Sequence, residues 1–295
     1  MRGPVTVHVP ASSANLGPAF DCAGLALDVW DTFTAEITEE RGVRVSSSGE
    51  GAADLPTDCS HLVAESMRRG FDAMGVRPAG WTLECTNRIP HARGLGSSAA
   101  AIIGGLVLAR ALAGAEEEFT DALLLETALA LEPHPDNLSA ALVGGLTIAW
   151  MNGTPGFVTL ALHPSVSITA LVPKTPLATK HARSVLPDMI AFDAAVHNVS
   201  RAALLAHALT HDPTLIMVAT DDRLHQQQRA DIYPEALALV SDLRRQGIPA
   251  VVSGAGPSVL AFADADTVGR HVDTDTWQPR MVAVPAKGAW VEDAS

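Results

Sequence analysis

The stretch that constrains this chain most is Pro90-His91-Ala92-Arg93-Gly94-Leu95-Gly96-Ser97-Ser98-Ala99-Ala100, with an apolar run beyond it that lasts to Ala113. Upstream, Trp81-Thr82-Leu83-Glu84-Cys85 alternates apolar and polar as a strand does. Downstream, Ile102, Ile103, Leu106 and Val107 recur at helical spacing, with Arg110 on another face. The glycines therefore sit where a strand hands over to a helix N-terminus. The first N–H groups of a helix have no intrahelical acceptor, and the macrodipole places partial positive charge there. Glycines let the backbone approach an anion, and the hydroxyls of Ser97 and Ser98 offer ligands to a phosphate or to a metal on it. Two familiar loops do not fit. No lysine lies near enough for a Walker loop. Gly94, Gly96 and Ala99 satisfy G-x-G-x-x-A, but Pro90 and Arg93 interrupt the direct strand-to-glycine turn of a dinucleotide fingerprint. Alone, the loop supports a phosphate site and a tightly packed helix start equally.

Composition narrows the function classes. The chain has 295 residues, enough for two domains or one large one. Hydrophobic residues make up 47% and aromatics only 4%, so Ala, Val, Leu and Ile build the core. A formal net charge of −13 without a basic cluster argues against a nucleic-acid partner. Cys22, Cys59 and Cys85 form an odd, widely spaced set with no C-x-x-C pair, as reduced thiols do. Residues 1–20 show no basic start before an apolar core, and the run 99–113 is too short for a bilayer. A cytoplasmic protein without a membrane segment is expected.

Taken in order, Val5–Val9 reads as a strand that enters a turn-rich loop, Pro10-Ala11-Ser12-Ser13-Ala14-Asn15-Leu16-Gly17-Pro18-Ala19-Phe20-Asp21. Asn15 and Asp21 either shape the turn or face a polar ligand. Residues 25–37 read as one or two strands and 43–47 as another, and Val63, Met67, Phe71 and Met74 stripe a helix. A helix at about 120–131 opens with Thr120 as its N-cap. Glu132, His134, Asp136 and Asn137 then crowd together, with Pro133 and Pro135 stiffening the backbone. The acid–amide pair either caps the next helix or offers a carboxylate to a hard cation; one histidine without cysteine does not suit zinc.

Strands follow at 146–150, 158–162 and 167–172. A loop carrying Lys174, Thr179, Lys180 and Arg183 precedes helices near 191–210 and 214–219, and Asp221–Arg229 is polar without helical periodicity. A helix at 234–246, a strand at 249–252, the turn Ser253-Gly254-Ala255-Gly256-Pro257-Ser258, a strand to Phe262, a helix and a strand near 280–285 complete an α+β pattern. A division into 1–155 and 156–295 is expected.

Four of these motifs, in this order, resemble those of the GHMP kinases and, within them, the homoserine kinase family. Pro90 to Ala100 is similar to P-x-x-x-G-L-G-S-S-A-A. Pro10 to Asp21 is similar to P-A-[ST]-S-A-N-L-G-x-G-F-D, His134-Pro135-Asp136-Asn137 to H-x-D-N, and Ser253 to Ser258 to S-G-A-G-P-S. The resemblance implies an α+β, two-domain GHMP kinase fold: an N-terminal domain like domain 2 of ribosomal protein S5 and a ferredoxin-like C-terminal domain. It implies a homodimeric enzyme that uses ATP and Mg²⁺ to phosphorylate the side-chain hydroxyl of L-homoserine, a step of threonine biosynthesis.

On this sequence the resemblance makes Pro90 to Ala100 the nucleotide loop, with Ser98 and Glu132 at the metal and Glu126 as the alternative carboxylate. It places Asn15, Asp21, His134, Asp136 and Asn137 along the amino-acid site. Thr179 and Arg183 match a T-x-x-x-R segment, and Arg229 a downstream arginine that helps to hold the substrate carboxylate. Asn15, Asp21, Asp136, Asn137 and Thr179 are the catalytic candidates. Asp136 is the nearest candidate for proton acceptance, with substrate orientation favoured as its role. A zwitterion needs a carboxylate for its ammonium and a guanidinium for its carboxylate, and this set supplies both.

There are departures: Ala19 and Pro133 replace usual glycines, and His61 stands where an asparagine near the adenine is common. Rival readings are a kinase of mevalonate or a sugar, and an ATP-binding sensor. The Asn15–Asp21 segment and the two arginines favour an amino acid, and intact Ser97, Ser98, Glu132 and Asp136 favour catalysis.

Overall fold

Strand β1 (Val5–Ala14) is longer than its sequence suggests in the computed structural model, which describes residues 4–174 and 183–293. The turn expected from Pro10 begins only at Asn15. A register shift between Pro10 and Ala11 lets Ala11, Ser12, Ser13 and Ala14 go on pairing with β2 (Ala23–Thr38), and all four side chains are buried. A run of small residues looks like a turn by composition. Here it is a bulged strand that helices cover closely.

The long strand β2 serves three neighbours. Along its length it pairs with β1, its first residues pair with β5 (Leu146–Asn152), and its last pair with β4 (Gly80–Asn87). Strand β3 (Gly42–Gly49) runs parallel to β4, which requires a crossover. Helix α1 (Leu62–Ala73) lies on that crossover and buries Val63, Met67 and Phe71, three of the four stripe residues. Strand β6 (Thr154–Leu160) extends the sheet from β5. Helix α2 (Ser97–Ala113) packs on β1, β2 and α1 and is buried on nearly every face, which its Ala-rich sequence, with Arg110 as its single charge, permits. Helices α3 (Asp121–Leu129) and α4 (Pro135–Val143) complete this layer, and the Thr120 hydroxyl caps α3 by accepting from the Leu123 N–H.

A second, four-stranded sheet has the order β10 (Trp277–Met281), β7 (Thr169–Pro173), β9 (Val259–Ala261), β8 (Ala250–Val252). Helix α7 (Pro234–Arg245) packs on it, and a separate core around Tyr233, Leu243 and Trp277 forms between them. Helices α5 (Phe192–Thr210), α6 (Ile216–Ala219) and α8 (Ala265–Gly269) fill the remaining chain. The division at 155 falls inside β6, and β11 (Trp290–Val291) returns to pair with β1 in the first sheet. Among the described residues no helix is long and apolar enough to cross a membrane.

Three hydrogen bonds draw the motif loops together. The Ser12 N–H donates to the Leu95 carbonyl (3.1 Å), the Gly254 N–H to the Ala14 carbonyl (3.1 Å), and the Ser253 hydroxyl to the Gly94 carbonyl (2.6 Å). The first motif, the glycine loop and the turn between β8 and β9 thus share one corner of the molecule.

Candidate active site

Gly96 is the N-cap of α2, with φ 68°, no side-chain cap and no acidic residue in the first turn. The free N–H groups at this end are left for an anion. Neither glycine of the loop tolerates a side chain. A Cβ on Gly94 (φ +69°) would lie 2.2 Å from the Ser253 carbonyl oxygen, and one on Gly96 would lie 2.1 Å from the Ser12 hydroxyl. Leu95, Ala99 and Ala100 are buried in the core, so they offer a ligand only their backbone. The Arg93 guanidinium donates to the Pro173 and His91 carbonyls (3.2 and 2.9 Å), bracing Pro90–Gly96 against the end of β7. Beneath the loop, buried Asp31 accepts from the N–H groups of Arg88 (2.6 Å) and Ile89 (2.9 Å). Burial pushes its carboxyl up to about 6 in spite of those bonds. Sequence reasoning passes over Asp31, because β2 also carries Asp28 and Glu36 and nothing in the pattern sets one carboxylate apart.

Two cavities flank the N-terminus of α2. One, of about 180 Å³, is walled by Phe33, Leu55, His61, Val63, Asn87 and His91 and opens on Ser97 and Ser98. His61 turns both nitrogens into the wall. Its Nδ1 accepts from the Val63 N–H (3.3 Å), capping α1, so Nε2 carries the proton, 3.4 Å from the Ser47 hydroxyl. The departure from asparagine thus keeps a helix cap, a task both residue types perform. Burial lowers the pKa of His61 and of His91, so both rings are neutral, and with Asp31 as its one carboxylate the wall is largely apolar, as a flat heterocycle requires.

The other cavity, of about 250 Å³, has Asn15, Asp21, His134, Asp136, Asn137, Arg183 and Arg229 in its wall, together with Phe20 and Glu132. All seven amino-acid-site candidates among the described residues therefore meet in one place. Thr179 lies outside the described residues. Asn15 has both ends of its amide engaged: Nδ2 donates to the Gly254 carbonyl and Oδ1 accepts from the Asp21 N–H, each at 3.0 Å. It braces two loops and sets the backbone of Asp21. The Ser12 hydroxyl donates to Asn137 Oδ1 (3.0 Å), which turns the amide nitrogen into the donor left for a ligand. Asn15, Leu16 and Asp21, with Ala92 of the glycine loop, are the non-glycine residues at positive φ among those described. Backbone strain of this kind costs roughly 1–3 kcal/mol per residue and collects at functional loops.

Asp21 and Arg183 pair with each other at 2.5 Å. Phe20 lies beneath both guanidinium groups, 5.1 Å from Arg183 Cζ and 5.4 Å from Arg229 Cζ. Sequence reasoning did not single out Phe20, although it stands next to Asp21 in the first motif. Asp136 is buried, which pushes its carboxyl up to about 7; Asp21 and Glu132 add to the rise, while the Asn137 N–H and Arg183 oppose it.

Ser98 donates to Glu132, and this contact joins the two cavities, since Ser98 borders the first and Glu132 the second. A hydroxyl and a carboxylate are hard oxygen donors of the kind that magnesium takes when phosphate fills much of its shell. Glu126 is exposed on α3 and borders neither cavity. Glu132→Gln and Ser98→Ala are expected to weaken Mg-ATP binding while leaving the fold intact, because neither side chain packs in the core. Nucleotide titration at several Mg²⁺ concentrations checks this, and an unchanged Mg²⁺ requirement in both variants would remove these residues from the metal site.

Comparison with known proteins agrees with the geometry. The family description GHMP kinases N terminal domain matches residues 61–145, and GHMP kinases C terminal matches residues 200–275. A homoserine kinase of Streptomyces coelicolor is 46% identical over 292 residues, 97% of this chain and 94% of that protein. The crystal structure of homoserine kinase from Cytophaga hutchinsonii aligns with a TM-score of 0.87 at 27% identity, covering 99% of this chain and 98% of that one. A crystal structure of mevalonate kinase, at 12% identity and a TM-score of 0.69 over 95% of this chain and 98% of that one, shares the fold alone. With both halves matched and a relative this similar over nearly its full length, the chain belongs to the homoserine kinase family of the GHMP kinases.

Proposed function

We infer that this enzyme transfers the γ-phosphoryl group of ATP to the side-chain hydroxyl of L-homoserine, forming O-phospho-L-homoserine and ADP. The observation that carries the reading is the placement of a carboxylate and two guanidinium groups in one small cavity, joined to a largely apolar cavity through Ser98 and Glu132 at the start of α2. The apolar cavity takes the adenine, the glycine loop and the α2 N-terminus take the phosphates, and the polar cavity takes the amino acid. Asp21 receives the ammonium, and Arg229 and Arg183 the carboxylate. In the free protein Asp21 and Arg183 satisfy each other, and the zwitterion replaces each partner with a ligand charge of the same sign. Ser98 and Glu132 would hold Mg²⁺, which when bound neutralises phosphate charge. The substrates and the step in threonine biosynthesis favour a cytoplasmic enzyme, and the family resemblance favours a homodimer.

Phosphoryl transfer has a loose transition state, so alignment and charge stabilisation matter more than a strong base. Asp136 is suited to both orientation and proton acceptance. It lies in the cavity wall beside Asn137, and a carboxylate near pH 7 is matched to accept the hydroxyl proton as the P–O bond forms. Only the ionised form accepts, so kcat/KM is expected to rise as pH increases through about 7. Asp136→Asn should flatten that limb and lower kcat by about 10²- to 10⁴-fold. The same raised pKa has a stability consequence. The folded chain keeps a proton that the unfolded chain releases near pH 4, so stability falls between about pH 4 and 7 and levels off above. A rising limb that persists unchanged in Asp136→Asn would leave this carboxylate with orientation only.

The test of the function is ADP formation by the purified protein with Mg-ATP and, separately, L-homoserine, L-serine, L-threonine, mevalonate and galactose. L-Homoserine should give the highest kcat/KM. Equal ADP release with and without it, or faster turnover of mevalonate, would overturn the assignment.

A further inference from the structure

We propose that His225 is a positioning residue for the substrate carboxylate, acting through Arg229 rather than by touching the ligand. The inference rests on the role given to Arg229 above. His225 is wholly buried in the polar run that showed no helical periodicity. Its Nε2 lies 2.7 Å from the Gly17 carbonyl oxygen and its Nδ1 lies 2.7 Å from Arg229 Nη1. A carbonyl only accepts and a guanidinium only donates, so both neighbours demand the same tautomer: proton on Nε2, lone pair on Nδ1. Burial and the adjacent Arg229 oppose protonation of the ring, against the pull of Asp222 and the Gly17 carbonyl, and the net shift is downward.

This arrangement solves a particular problem. A carboxylate beside Arg229 would orient it but cancel its charge. A neutral imidazole nitrogen orients it without bringing a negative charge of its own. The support behind the ring is rigid. The Asp222 carboxylate accepts from the N–H groups of Leu224, His225 and Gln226 and from Asn198 Nδ2, and Gln226 Oε1 accepts from the Val252 N–H. The Phe20 ring closes the remaining side, 4.9 Å from the imidazole centroid. Through Gly17, His225 also ties Arg229 to the β1–β2 loop, which carries Asp21. The grip for the substrate carboxylate is thereby set in register with the grip for its ammonium.

Two substitutions separate the ends of the ring. His225→Gln can return a donor near Nε2 but no acceptor for Arg229, and His225→Asn can return an acceptor near Nδ1 but no donor for Gly17. Losing a hydrogen bond to a charged group predicts a rise in KM for L-homoserine of about 10- to 100-fold in His225→Gln, with kcat and the KM for ATP near those of the parent. His225→Asn should recover most of the affinity. In the parent, ¹⁵N NMR of the imidazole at pH 7 should show the neutral Nε2–H tautomer. Arg229→Ala is measured alongside. If it leaves the KM for L-homoserine unchanged, the role of Arg229 fails and the proposal with it. If it raises that KM while His225→Gln does not, the proposal alone fails. An Nδ1–H tautomer or an imidazolium in the parent overturns it irrespective of how the variants fold.

Discussion

Replacing Arg229 with alanine is expected to raise the KM for L-homoserine by roughly 30- to 4,000-fold and to leave ATP binding nearly intact. Removing one partner of a desolvated charge pair typically costs about 2–5 kcal/mol, much of it from the charge left unpaired. Arg229 is only 2% exposed, so a ligand carboxylate that meets it would be withdrawn from water. Arg183 differs: its side chain is 50% exposed, and its pairing with Asp21, itself 33% exposed, is screened by solvent. Arg183→Ala should therefore raise the same KM by less than Arg229→Ala does. Arg229→Lys should rescue only partly, because a point charge cannot reproduce the planar fork and would not reach both His225 and the ligand. Steady-state kinetics with both substrates varied provides the check. Parental KM values in Arg229→Ala would make this residue structural and move the carboxylate grip elsewhere in the cavity.

The second large effect concerns the glycine loop. Gly96→Val should abolish measurable Mg-ATP binding, a loss of at least about 100-fold, while the amino-acid cavity keeps its charges. A left-handed backbone conformation costs an L-residue roughly 1–2 kcal/mol, and the new Cβ would also meet the Ser12 hydroxyl at 2.1 Å. Ser12 cannot yield freely, since its hydroxyl is committed to Asn137 and its N–H to Leu95. Either the valine pushes the N-terminus of α2 out of place, or it displaces β1. Titration with Mg-ATP and a melting curve distinguish lost binding from lost folding. Parental ATP affinity in a folded Gly96→Val protein would refute the role of the loop.

The elements most readable from the sequence are those where local pattern and tertiary environment agree. The glycine loop stands between a strand alternation and an apolar helix, and β4, α2 and the free N-terminus of α2 appear where those patterns place them. The stripe Val63, Met67, Phe71 marks the buried face of α1 because nothing else competes for it. Where the tertiary environment overrides the pattern, reading fails. Ala11 to Ala14 look like a turn because they are small, yet smallness is what lets α2 and α4 cover a strand there. β11 has two residues and no pattern of its own; Trp290 is placed by stacking on His8, with ring centroids 4.4 Å apart.

The same holds for the site. Charged candidates such as Asp21, Arg183 and Arg229 announce their chemistry by residue type. Phe20 and His225 act through what they touch, and contacts between residues 20, 183 and 229 do not exist in one dimension. Asp31 is a similar case. Its partners are backbone N–H groups 57 and 58 residues away, which no spacing rule reaches.

The central claim is that one cavity recognises both ends of a zwitterion, and comparison of three alcohols tests it most directly. L-Homoserine carries both charges, 4-hydroxybutanoate lacks the ammonium, and 2-aminobutane-1,4-diol lacks the carboxylate; each presents a primary hydroxyl for transfer. At saturating Mg-ATP, kcat/KM is predicted to fall by roughly 30-fold or more for each analogue, since each leaves a protein charge unmatched. The loss for the diol should shrink in Arg229→Ala, and the loss for 4-hydroxybutanoate should shrink in Asp21→Asn. Analogues phosphorylated as efficiently as L-homoserine, or losses unaltered in those variants, would contradict the account.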